Sequence, residues 1–332
     1  MDKLELLLET FKGRNTTNPL FSLWKHFPLD DRDSQRLAEA HIKFYEHHQF
    51  DLMKISPHGR YPVVDYGCKV AEGYDPFTGS TSCEECSINS LEDWGALEKV
   101  DVNEGEFGEQ IKTVRTLGKK LEELPKMMTI FSPLMVASKM DTNIVKHMRE
   151  DTDKLKEALF VVYRDLLEFA QSSLDAGAQG LFIASQHFRK SDLTWKEVER
   201  FEIFFIKKLI QEVKKKSEFN IIHVHGQDIK FDKAAEQIDA EGLNWHDQLT
   251  WPSISEAAKI FPKGLLAGID ETQSLVEGDE EKIKTNIVEA IEMSKKYDNR
   301  VIIAPGCVIP ITASNESIEI ISKTIHKSRK RG

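Results

Sequence analysis

The chain has 332 residues, of which 40% are hydrophobic, 9% aromatic and 30% charged, proportions of a folded protein rather than a disordered chain or a membrane bundle. Its 45 lysines and arginines against 55 acids give a net charge of −10, so no basic excess is on hand to neutralise a nucleic-acid backbone. Four cysteines cannot form the dense framework of a secreted mini-domain. The start, Met1-Asp2-Lys3-Leu4-Glu5, lacks the basic flank and apolar run of a signal peptide. The longest near-apolar run, Val301 to Ile311, holds two prolines and falls far short of the ~20 residues of a membrane helix. The expectation is a cytoplasmic protein with neither a nucleic-acid nor a membrane partner.

Two helical stretches, Asp2–Phe11 and Asp31–His48, open the chain, and residues 1–50 read as an N-terminal helical cap. From residue 51 to 332 short β-rich runs alternate with amphipathic helices. The runs are Leu52–Ile55, Met127–Phe131, Gly180–Ala184, Asn220–His225, Gly242–Trp245, Leu265–Ile269 and Val301–Ala304. Thr152–Leu174 is a helix closed by Asp175-Ala176-Gly177, where the glycine suits a left-handed cap. Thr194–Lys216 opens on the capping box Thr194-Trp195-Lys196-Glu197, and helices near Ser253–Ile260, Asp279–Lys296 and Ser314–Lys330 follow. The basic end Lys327-Ser328-Arg329-Lys330-Arg331 reads as a solvated helix terminus complementing the dipole. Alternation of this kind implies parallel pairing through right-handed crossovers, and in one undivided chain it predicts a single α/β domain, a (β/α)8 TIM barrel with one strand unplaced. An open doubly wound sheet would carry a glycine-rich turn after its first strand, and Ser56-Pro57-His58-Gly59-Arg60 has none.

Chemistry in such a barrel gathers at the strand C-termini. The first strand ends at Ser56, His58, Arg60 and Tyr61, the third at Ser185-Gln186-His187, the fourth at His223-Val224-His225-Gly226, the fifth at Trp245-His246-Asp247 and the seventh at Pro305-Gly306-Cys307. His223 and His225 are two apart and leave one face of a strand. With Cys307 they make a nitrogen–sulfur set suited to zinc. His246 and Asp247 suggest a base held by a carboxylate, with His187 a further catalytic candidate. Lys54, His58, Arg60, Tyr61, Gln186 and Trp245 are candidate substrate contacts, Lys54 and Arg60 toward anionic groups, a role Arg189 could share. Residues 71–90 form a long excursion holding Gly73, Pro76, Gly79 and the pair Cys83-x-x-Cys86. That pair is half a structural zinc site, and Cys68 lies too near in sequence to complete it in an obvious way. A redox pair would open a helix in a thioredoxin-like unit, which is absent. It reads as an inert or metal-scavenging surface loop.

The series Phe50-Asp51-Leu52-Met53-Lys54-Ile55-Ser56-Pro57, Asp175-Ala176-Gly177-Ala178, His223-Val224-His225-Gly226, Gly268-Ile269-Asp270 and Ala304-Pro305-Gly306-Cys307-Val308-Ile309-Pro310 resembles the uroporphyrinogen decarboxylase superfamily from about Trp24 onward. The resemblance implies a (β/α)8 barrel and one of two chemistries. One is cofactor-free decarboxylation of a tetrapyrrole; the other is zinc-dependent transfer of a methyl group from a corrinoid to a thiol such as coenzyme M. Decarboxylases of the family carry an arginine-rich N-terminal motif and an aspartate just after the first strand. Here the corresponding stretches read Leu23-Trp24-Lys25-His26-Phe27-Pro28 and Ser56-Pro57-His58-Gly59, with no acid until Asp65. The methyltransferases carry a His-x-Cys pair and a C-terminal Cys; His223 and Cys307 match, and His225 stands where a Cys is expected. The resemblance therefore implies zinc on His223, His225 and Cys307, a corrinoid methyl donor, a small-molecule thiol and a corrinoid protein as partner. The alternatives are tetrapyrrole decarboxylation without a cofactor, and a barrel that binds corrinoid or tetrapyrrole without turnover. A homodimer is compatible with each.

Overall fold

Burial on both faces explains why the strands read as unbroken apolar runs: every residue of the seven parallel strands is buried. The structure, a computed structural model, describes residues 1–189 and 193–330; Arg331 of the basic end lies outside the described residues. The strands are β1 (Met53–Ile55), β2 (Lys69–Val70), β3 (Cys83–Glu85), β4 (Lys126–Phe131), β5 (Gly180–Ser185), β6 (Phe219–Val224), β7 (Gly242–Trp245), β8 (Gly264–Ile269) and β9 (Val301–Pro305). Seven of them form one curled parallel sheet in the order β1-β4-β5-β6-β7-β8-β9, and β2 and β3 make a separate antiparallel hairpin. The seven predicted strands all appear in place. The predicted eighth is not found among the described residues.

The two outer strands are instead linked by an extended piece of the N-terminal region. Ser22 donates its N–H to Ile303 of β9 (2.9 Å), the Ile303 N–H returns to Leu20 (2.8 Å), and the Asp51 N–H, just ahead of β1, reaches Phe21 (2.9 Å). These are isolated bridges, Phe21 with Ile303 and farther on Lys25 with Ile309, rather than a strand, so the sheet is a seven-stranded half-barrel with TIM-like curvature.

Along each strand alternate residues point inward. Met127, Phe182, Phe219, Ile221, Leu266 and Ile302 fill the interior with Leu7 and Phe11 of helix Lys3–Phe11. Residues 1–50 thus carry both predicted helices, observed at Lys3–Phe11 and Ser34–His48, and the first plugs the N-terminal end of the sheet. Room for the plug comes from Gly264, where a Cβ would sit 2.2 Å from the Phe11 ring. With that end filled, the open end is the one where the strands finish. Helices Gly105–Lys120, Thr152–Asp175, Glu280–Lys296 and Asn315–Arg329 cover the outside through a second, larger core.

The helix predicted over Thr194–Lys216 is interrupted. Trp195–Val198 and Phe204–Val213 flank a wide π-type turn at Glu199–Ile203. The turn carries Glu202, fully buried, whose carboxylate accepts the Ser185 hydroxyl at the end of β5.

Candidate metal centre

The inward alternation of β6 continues past the apolar Phe219 and Ile221 to His223 and then His225, just beyond the strand. β7 contributes Asn244 and, two residues on, His246; Cys307 follows β9. Together His223, His225, His246 and Cys307 bring four donor atoms within 4.8 Å of one another. His225 Nδ1 lies 3.3 Å from His223 Nε2, 3.2 Å from His246 Nε2 and 3.7 Å from Cys307 Sγ. Gly306 permits the approach of β9 to β7, because a Cβ there would come within 2.7 Å of the His246 Cα.

Three of the donors, His223, His246 and Cys307, are held from behind. The Asn244 amide nitrogen donates to the carbonyls of Leu266 (2.9 Å) and Pro305 (3.0 Å), so its oxygen faces His223 Nδ1 at 2.6 Å. That arrangement puts the proton on Nδ1 and leaves Nε2 free toward the other donors. Glu271, after β8, accepts the N–H groups of Gly306 (3.1 Å) and Cys307 (3.0 Å), and its Oε1 lies 3.4 Å from His246 Nδ1. Burial lowers His223 to about 4, keeping it a neutral donor. Burial alone would raise the Cys307 thiol, but hydrogen bonds from His223, His225 and His246 hold it well below its ordinary value. Burial likewise opposes a charge on His246, which Cys307 and Glu271 overcome, pushing it up. These contacts favour a Cys307 thiolate beside a protonated His246.

His223, His225 and Cys307 form one wall of a cavity of about 440 Å³. Apart from Cys307, its charged lining consists of the cations Lys54, Arg60 and Lys139, and no aspartate or glutamate lines it among the described residues. Lys54 Nζ lies 4.8 Å from the Phe182 ring centre and 3.3 Å from Ser56 Oγ, and burial pulls it down to about 8. Lys139 Nζ donates to the Gly59 carbonyl (3.1 Å); burial first and the Arg60 charge second bring it down to about 7. Arg60 Nε donates to the Thr81 carbonyl (3.1 Å), tying the 71–90 excursion to the cavity wall.

Of the predicted residues, His223, His225, Cys307 and His246 converge, and Lys54, Arg60 and Gln186 line the cavity. Others face elsewhere, chiefly because strand neighbours point to opposite sides. Trp245, adjacent to inward His246, packs on Phe231 and donates to the Pro252 carbonyl (2.8 Å). Asp247 accepts the Gly268 N–H (3.2 Å) in a separate cleft with Gln248 and Ser253, so it does not hold His246; that role falls to Glu271. His187 lies behind Gln186, its Nε2 3.2 Å from Ser138 Oγ. Tyr61 is buried among Phe107, Phe131 and Phe169, its hydroxyl on the Thr129 carbonyl (3.1 Å). His58 meets Thr81 Oγ1 at 2.9 Å and is absent from the cavity lining, as is Arg189. Sequence reasoning missed Lys139, Trp24, His26, Asn244 and the positioning role of Glu271. Asn244 carried a signal, two positions before His246 on a strand; Lys139, inside a helix, carried none.

A half-barrel of parallel strands with a nitrogen–sulfur cluster at its strand ends defines an enzyme-like α/β class. The sequence model of the uroporphyrinogen decarboxylase (URO-D) family matches residues 25–328, and the chain belongs to that family. Comparison with curated proteins finds no match. Among solved structures, a methyltransferase from Methanosarcina mazei is similar at a TM-score of 0.82, with 17% identity and 99% of each chain covered. A B12-independent methionine synthase from Shewanella sp. W3-18-1 is similar at a TM-score of 0.59 and 11% identity, over 95% of this chain and 96% of that one. A putative vitamin-B12-independent methionine synthase from Listeria monocytogenes follows at 0.52 and 13%, over 95% and 98%. At these identities the likeness is one of fold. No helix among the described residues is long and apolar enough to cross a membrane.

Proposed function

We propose that this chain is a metal-assisted methyltransferase moving a methyl group from a methylated corrinoid, carried by a corrinoid protein, to a small anionic thiol. The observation that carries the reading is the convergence of three imidazoles and a thiol, of which His223, His225 and Cys307 line a cavity whose other charged lining residues are all cations among the described residues. The donor set fits zinc: nitrogen and sulfur atoms, buried, one tautomer fixed by Asn244 and one imidazole backed by Glu271. His223, His225 and Cys307 would hold the ion, with His246 at hand as a fourth donor. Zinc there would supply a Lewis acid that keeps an acceptor thiol as its thiolate near neutral pH.

The remaining work falls to side chains. Lys54, Arg60 and Lys139 pair with the anionic end of the acceptor and so aim its sulfur at the cluster. His246, its Nδ1 turned to Glu271, keeps Nε2 directed at the cluster, and Glu271 fixes that orientation. Trp24 and Phe182 flank the acceptor and narrow the access of water. Decarboxylation of a tetrapyrrole is disfavoured, since no acid in the described lining faces pyrrole nitrogens.

The test is zinc-loaded protein with methylcobalamin and two thiols, 2-mercaptoethanesulfonate and neutral 2-mercaptoethanol. Demethylation of the corrinoid that is faster with the sulfonate and lost on chelation is expected. No demethylation with either thiol, or conversion of reduced uroporphyrinogen to coproporphyrinogen by the same preparation, would overturn the proposal. Corrinoid binding without turnover, unaffected by Cys307→Ser, would leave a non-catalytic binder.

A further inference from the structure

The three cysteines outside that centre meet on the β2–β3 hairpin. Antiparallel pairing sets Lys69 against Glu85 and Val70 against Cys83, with an irregularity between the two pairs. The Lys69–Glu85 register places Cys68 across from Cys86. The Ser87 N–H and hydroxyl both lie 3.4 Å from Cys68 Sγ, fixing that sulfur against the end of the opposite strand. Nearness in sequence argued against Cys68 as a partner of the Cys83-x-x-Cys86 pair, but the hairpin folds the excursion back on itself and brings all three to one end. All are free thiols. Cys68 is buried, Cys83 and Cys86 half-buried.

We propose that Cys68, Cys83 and Cys86 form a second metal site, a thiolate site for zinc or a similarly soft divalent cation, distinct from the histidine centre. The C-x-x-C spacing with a third cysteine from the paired strand supplies the sulfur donors such ions prefer. Next to Cys86 a cleft of about 350 Å³ is lined by Glu84 and Glu85, giving the ion an approach from solvent and a carboxylate or water for its remaining position. The Arg60 guanidinium, with Nη1 3.9 Å from Cys83 Sγ, offsets the negative charge of three thiolates around a dication. As free thiols these groups are poorly suited to nucleophilic or redox work. Burial first, with neighbouring thiols adding, pushes Cys83 up to about 11, and Cys86 is raised by burial and Cys68. A metal replaces those protons and removes that cost.

The position gives the site a structural task. Arg60, 3.9 Å from the Cys83 sulfur, holds the Thr81 carbonyl at 3.1 Å. A cation on the hairpin therefore pins the segment that brings Thr78, Ser80 and Thr81 to the cavity wall. The proposal does not depend on what the cavity turns over.

The test is alkylation of the folded full chain, with and without Zn²⁺, read peptide by peptide by mass spectrometry. Cys68 is buried in either case, so Cys83 and Cys86 are the reporters. Added Zn²⁺ is expected to slow their modification strongly, and a chelator to restore it. Equal modification with and without Zn²⁺ would overturn the site. So would protection that only a reductant removes, which would mark a disulfide. Stoichiometry gives a second measurement. His223→Ala combined with Cys307→Ser should retain one equivalent of zinc, lost on further change of Cys83→Ser and Cys86→Ser. Retention after all four changes would also overturn it.

Discussion

Asn244 fixes the tautomer of His223. Its carboxamide oxygen sits 2.6 Å from Nδ1, and its nitrogen is committed to the Leu266 and Pro305 carbonyls. Asn244→Leu removes the acceptor and strands two buried carbonyls. Zinc affinity is expected to fall about 10- to 100-fold, with a stability loss of about 1–3 kcal/mol. Competition against a chromophoric chelator, run beside thermal unfolding, reads both, and an unchanged affinity in a folded variant would refute the tautomer argument.

Cys307→Ser separates ligand from core residue. Serine puts a hard neutral donor where a soft anionic one stood, so zinc content at the histidine centre and methyl transfer are expected to drop together while the fold persists. A core role alone would cost about 1–2 kcal/mol through a poorly satisfied hydroxyl and leave the metal in place. Measuring metal content on protein already carrying Cys83→Ser and Cys86→Ser keeps the hairpin out of the result.

Lys139 and Lys54 make acceptor binding pH-dependent. Burial brings their ammonium groups down to about 7 and about 8, so both lose charge as pH rises through that window. The KM for an anionic thiol is expected to climb across it, while that for a neutral thiol shows no such step; Lys139→Met should remove the lower part. The sign for stability is the reverse of a favourable ion pair. A lysine held below its unfolded value of 10.5 destabilises the fold fully below about pH 7, and the penalty fades as pH rises toward 10.5. Lys139→Met should therefore gain most stability at acid pH, which denaturant melts at pH 6 and pH 9 would show.

Gly264→Ala tests the plug. The new methyl would lie 2.2 Å from the Phe11 ring, and the overpacking is expected to cost about 1–3 kcal/mol without changing zinc affinity. Phe11→Leu in the same chain should recover part of the loss. A loss unchanged by Phe11→Leu would place the strain elsewhere.

What the sequence exposed and what it hid divide along physical lines. Buried parallel strands need apolar side chains on both faces, so all seven show as runs, and Val301–Ala304 differs from β9 only by Pro305. His223 and His225 were legible because a two-residue period places both on one face. The same period sets Trp245 and Asp247 on the opposite side of the chain from His246, and the structure turns both away. Lys139 was invisible, since a lysine in helix Pro133–Met140 looks like any solvated helical charge until the fold buries it. The pairing of Cys68 with Cys86 depends on hairpin register, which short polar strands specify weakly.

The bridge of Leu20–Ser22 between β9 and the start of β1 bears on the order of events during synthesis. Phe21 pairs with Ile303, so a segment made among the first must wait for one made among the last before either is fully hydrogen-bonded. Until then both outer edges of the growing sheet present unpaired amides and carbonyls, an invitation to non-native strands. Contacts so far apart in sequence slow folding, and the same stitch makes the two ends of the chain cooperate. Arg329 near the C-terminus holds both the Pro19 carbonyl (2.6 Å) and the Asp51 carboxylate. Loss of the last helix would thus loosen the stitch at Pro19 and Asp51.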